Sequence, residues 1–198
     1  MADSLYLSLW FPSFGRDEML PRTLAVLKQF PYSTQFPGIG HVEIHPVGWD
    51  EPSLFEETFD YRADPERAIE LAAEFLHEDY AYQFEALWDL WAPSEERPEV
   101  WIDRPLRVSF VAQGLSFDEG SYRENGHILV DCGLDTPFLF EDMPLTSQAE
   151  AKVKANIQKL VSFTSAVEKN CGISGRLLWS ESEENLAQKL IARLQRVQ

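Results

Sequence analysis

Residues 64–93 read DPERAIELAAEFLHEDYAYQFEALWDLWAP, and the parsing of this run decides the fold. Asp64 is a good helix N-cap and Pro65 a good first helical residue, because proline's fixed φ suits a first turn and its missing N–H costs nothing there. Ile69, Ala72, Leu76, Tyr80, Phe84, Leu87, Trp88 and Trp91 then recur at helical spacing, which gathers side chains on one face of an α-helix. Pro93 ends the run. The spacing predicts one long helix from Asp64 to the neighbourhood of Pro93.

On the N-terminal side, residues 5–11 (LYLSLWF) alternate as a strand, with Leu5, Leu7, Leu9 and Phe11 on one face and Tyr6, Ser8 and Trp10 on the other. Leu20, Leu24, Leu27 and Phe30 follow helical spacing until Pro31 stops the helix. GHVEIHPVG at 40–48 and LFEETFDY at 54–61 alternate again as strands. On the C-terminal side, Leu106, Val108, Phe110 and Ala112 line a strand, and a polar loop ending in Asn-Gly joins it to HILVDCG at 127–133 as a hairpin. Ser147 and Glu150 form a capping box before a helix striped by Val153, Ile157, Leu160 and Val167, with Gly172 closing it. GRLLWSE at 175–181 is a short strand. Ser180 and Glu183 repeat the capping box before a last helix marked by Leu186, Leu190, Leu194 and Val197.

The element order over residues 5–113 is thus β-α-β-β-α-β, the split βαβ pattern of ferredoxin-like folds. The sequence predicts one α+β domain over residues 1–198. Its βαββαβ core, 1–117, is an antiparallel sheet with helices on one face, and a C-terminal β-α-β-α extension, 118–198, packs on it. An architecture of this kind hosts many activities and names none of them.

Charge narrows the function more than the fold does. The formal net charge is −16. Residues 1–151 hold 29 acidic against 9 basic residues, and residues 152–198 hold 4 against 8, so −20 and +4 sum to −16. A surface this acidic repels phosphate backbones, which excludes nucleic acid as an expected partner. It suits a basic protein or a small molecule. The basic C-terminal segment is expected to dock against the acidic body. No charged start followed by a long apolar run is visible, and apolar runs fall short of a membrane span. Two cysteines, Cys132 and Cys171, make no disulfide framework. The expectation is a soluble cytoplasmic protein with reduced thiols and no membrane partner.

One stretch offers chemistry. In GHVEIHPVG, His41, Glu43 and His45 alternate with apolar residues, so a strand aims two imidazoles and a carboxylate to one side. A neighbouring strand would set Glu56, Thr58 and Asp60 beside them. Two histidines and an acid with open positions match the ligand set of zinc hydrolases and non-haem iron enzymes. A half-exposed strand shows the same alternation with no site at all. Trp10, Glu56, Asp60 and Arg107 are the residues expected to meet a ligand on this face. His127, Asp131 and Cys132 do not converge, since Cys132 belongs to the opposite strand face.

The leading expectation is therefore an acidic binding domain without cofactor. The alternative is a metal-dependent enzyme holding a divalent transition metal on His41, Glu43 and His45, with Glu56 or Asp60 as a further ligand or base. A homodimer that pairs open sheet faces is a third expectation.

Overall fold

The computed structural model describes residues 3–140, 145–181 and 185–195, apart from the side chain of Tyr61. The elements are β1 (Ser4–Trp10), α1 (Arg16–Leu27), β2 (Ile39–Pro46), β3 (Phe55–Ala63), α2 (Pro65–Ala73), β4 (Tyr80–Pro93), β5 (Trp101–Gln113), α3 (Tyr122–Asn125), β6 (Ile128–Leu134), α4 (Ser147–Asn170), β7 (Gly175–Ser180) and α5 (Leu186–Gln195). Glu183 and Val197, assigned above to the last helix, lie outside the described residues.

The long helix is corrected first. Pro65 does start a helix, but it ends at Ala73, and Tyr80–Pro93 is the longest strand of the sheet. Tyr82, Phe84, Ala86, Trp88, Leu90 and Ala92 are buried, whereas Gln83, Glu85, Leu87, Asp89 and Trp91 are half-buried on the other face. That is a period of two, the strand period. The apolar run satisfied both periods, and pairing on both sides decided between them. β5 runs beside β4 from Ala81 opposite Gln113 to Pro93 opposite Trp101, and β2 flanks its first half.

The seven strands form one antiparallel sheet in the order β3-β2-β4-β5-β6-β1-β7. This mixed α+β architecture departs from the ferredoxin-like order. In the split βαβ unit one strand separates two parallel ones; here β1 and β2, joined by α1, are separated by β4, β5 and β6. Two other units keep the split form. β3-α2-β4 straddles β2, and β6-α4-β7 straddles β1. β6 and β7, from the C-terminal extension, join the same sheet.

Leu5, Leu7, Leu9, Val42, Ile44, Phe84, Trp88, Phe110 and Val130 point to one side of the sheet. They share one core with Met19 and Leu27 of α1, Ala68 and Ala72 of α2, Ile157 and Phe163 of α4, and Leu190 of α5. Trp88, Phe84 and Phe110 are wholly buried there, each contributing about 2–3 kcal/mol by area removed from water. On the opposite face, the segment between β5 and β6 covers part of the sheet. There Phe117 packs on Ala81 and Val111, and the edge of Trp49 meets its ring at 5.1 Å.

Beyond Ala86, β4 has no β2 partner, and α4 completes that edge. The Asn156 amide accepts from Trp91 N–H at 3.0 Å and donates to Trp91 C=O at 2.7 Å, as a neighbouring strand would. It also donates to Pro137 C=O at 2.8 Å. Lys159 donates to the Asp89 carbonyl, and Lys152 donates to Trp101 C=O at 2.8 Å with its ammonium 4.3 Å from the Trp91 ring centroid. The basic C-terminal segment thus spends charge on the backbone of the acidic body. α4 is capped by Thr146, whose Oγ1 accepts from Ala149 N–H at 3.2 Å, one residue before the expected Ser147. Asn156→Leu should cost about 3 kcal/mol, because it leaves the Trp91 N–H and the Trp91 and Pro137 carbonyls without their partner. Urea unfolding checks this; a loss under about 1 kcal/mol would mean water replaces the amide.

Candidate functional site

The face turned away from the helices carries cross-strand rows. Thr58, His41, Glu85, Ser109, Asp131, Tyr6 and Trp179 stand opposite one another from β3 to β7. Beside them run Glu56, Glu43, Gln83, Val111, Leu129, Ser8 and Leu177. Strand alternation fixes both rows, since each aligned residue differs by two positions from its neighbour on the same strand.

His41 and His45 make separate pairings. His41 Nδ1 shares a 2.9 Å hydrogen bond with Thr58 Oγ1, and its Nε2 lies 3.5 Å from Glu56. His45 Nε2 lies 3.2 Å from Glu43, and its ring packs 4.9 Å from Trp49. Among the described residues, no group of three or more His, Cys, Asp or Glu side chains is arranged to hold a metal ion.

A hollow of about 460 Å³ opens where β2, β3, β4 and β5 meet. Of the residues expected to touch ligand or metal, His41, Asp60 and Arg107 line it. Phe36, Arg62, Glu85 and Leu87 complete much of its wall. Glu43, His45 and Glu56 lie outside that lining, and so does Trp10. Trp10 belongs to β1, with β4, β5 and β6 between it and β2, and its indole N–H donates to Tyr122 C=O at 3.0 Å. Glu85 grips Arg107 at 2.5 Å. Burial lowers the pKa of Arg62, while the Glu85 charge opposes that shift.

Gly40 explains how Arg62 fits. The register of β2 slips between Ile39 and His41 against both neighbours, so Gly40 sits at a β-bulge. A Cβ there would lie 2.4 Å from Arg62 Nη1 and 2.8 Å from Nη2. The guanidinium occupies the space of the missing side chain. The sequence reading missed Arg62 and Phe36, and missed Glu85 because it lay on the misparsed helix. The glycine opening the His-x-Glu-x-His strand was the available signal, since a glycine inside a strand marks a bulge or close approach.

A second, more apolar hollow of about 630 Å³ lies between β4, β5 and β6, walled by Leu106, Leu134, Pro137 and Phe140. Cys132 borders it, buried, with its thiol pushed far above the usual range by burial and by Asp131. His127 is occupied elsewhere: Phe11 N–H donates to its Nδ1 at 3.0 Å, and its ring stacks on Phe14 at 4.9 Å and Tyr122 at 4.7 Å. These placements put no nucleophile beside a base at Cys132.

No known protein-family model, curated protein or solved structure matches this chain at a significant level. Among the described residues, no helix is long and apolar enough to cross a membrane.

Burial, and secondarily the charge of Arg22, lower the His127 pKa. The unfolded chain therefore takes up the proton first. The stabilisation is complete above the ordinary value of about 6.5 and is lost as pH falls through the lower folded value. Protonation also turns Nδ1 into a donor and breaks the bond from Phe11. Between about pH 7 and pH 5, the urea midpoint should fall further in the wild-type chain than in His127→Gln. Parallel curves would assign the pH dependence to other groups.

Proposed function

We propose that the chain is a binding protein that engages a basic protein partner through the uncovered face of its sheet. The observation that carries this reading is the sidedness of the fold. The core of α1, α2, α4 and α5 lies on one face, and the other presents Glu43, Glu56 and Asp131 in adjoining rows. Charge complementarity of this kind speeds encounter and suppresses wrong partners more than it adds raw affinity. The net charge of −16 suits the same kind of partner, and Lys152 and Lys159 are committed to holding α4 to β4.

The face is a rigid scaffold. Hydrogen-bonded strands fix by register which residues face the partner, so the backbone beneath the charge pattern needs no ordering on binding. The probe is a ten-residue oligolysine peptide, followed by amide chemical shifts. Perturbations should map to the uncovered faces of β2, β3 and β4, weaken in Glu43→Gln/Glu56→Gln, and fade between about 50 and 500 mM salt as the Debye length shrinks. Perturbations centred on α1 and α2, or binding indifferent to salt, would overturn the reading.

A further inference from the structure

We propose that the hollow at the Gly40 bulge is a receptor for a small organic carboxylate, held by Arg62. This does not rest on the partner reading, since the isolated chain supplies every group required.

Three observations converge. First, Arg62 makes no ion pair or hydrogen bond among the described residues, whereas Arg107 across the hollow is neutralised by Glu85. Its guanidinium, half-buried and not committed to a hydrogen bond, is therefore free to take a charge-assisted pair from an arriving anion. Second, the bulge and the absent side chain at Gly40 create the berth for that guanidinium. A larger residue would push it out, so the position is built into the backbone. Third, Phe36 and Leu87 give the hollow apolar wall beside its polar lining of His41, Thr58, Asp60 and Glu85. Phe36 is 45% exposed, a large ring left facing solvent at the rim. A volume of about 460 Å³ falls within the range of small-molecule sites.

The same geometry selects among anions. A carboxylate matches the planar fork of a guanidinium with two parallel hydrogen bonds. Asp60 and Glu85 line the hollow too, and a net charge of −16 surrounds it. A doubly charged phosphate meets more repulsion there than a single carboxylate does. Phe36 and Leu87 favour an aromatic or aliphatic body over a bare ion.

The test uses the full chain and three probes: phenylacetate, acetate and inorganic phosphate, titrated by calorimetry with amide shifts read at Gly40, Thr58 and Leu87. Phenylacetate should bind saturably, and more tightly than acetate or phosphate. Arg62→Gln and Gly40→Ala should each weaken it about tenfold or more. Gly40→Ala keeps every group of the hollow but displaces the guanidinium, and its clash falls on the flexible end of Arg62, which leaves the backbone in place. Thermal unfolding confirms that both variants fold; if Gly40→Ala does not, Arg62→Gln alone decides. The proposal is overturned if phenylacetate shows no saturable binding below about 10 mM, if the variants bind it as the wild type does, or if phosphate binds better.

Discussion

The structure depends on the pairing of β4 with strands on both sides. Its register with β5 runs unbroken from Ala81 to Pro93, and its first half is shared with β2. Those two ladders place Phe84 and Trp88 in the core and Glu85 on the opposite face. Where β2 stops, the N–H and C=O groups of β4 from Leu87 to Trp91 still need partners. Ser33 N–H donates to Leu87 C=O at 2.7 Å, Lys159 donates to the Asp89 carbonyl, and Asn156 serves both groups of Trp91. The position of α4 over the sheet is fixed by that demand as much as by its apolar stripe.

Legibility followed the local signals. The alternation of Leu5, Leu7 and Leu9, of Val42 and Ile44, and of Val108, Phe110 and Ala112 identified β1, β2 and the main part of β5. Helical spacing with clear stops identified α1 and α4. Residues 80–93 were ambiguous because Phe84, Leu87, Trp88 and Trp91 satisfy a period of 3.6 while Tyr82, Phe84, Ala86 and Trp88 satisfy a period of two. The aromatic richness of the stretch favours a strand, but the partner strands that settle it are remote in sequence. Strand order was not legible for the same reason: β1 pairs with β6 and β7, residues more than a hundred positions away.

The candidate site was legible to a similar depth. His41, Asp60 and Arg107 could be placed on an uncovered face from alternation alone, and all three line one hollow. Its walls at Arg62, Phe36 and Glu85 come from a strand end, a loop and the misparsed run. The pairing of Glu43 with His45 and of His41 with Glu56 also depended on side-chain rotamers that no spacing rule specifies.

The placement of β1 has a consequence for how the chain is made. Residues 4–10 hydrogen-bond to residues 128–134 and 175–180 and to no earlier strand. During synthesis β1 therefore waits for strands that lie more than a hundred residues further along the chain. At about 5–20 residues per second, that is roughly ten to thirty-five seconds with Leu5, Leu7 and Leu9 unburied. Through that interval the alternating leucines of β1 are an unpaired apolar edge, the kind of surface on which incompletely folded chains associate.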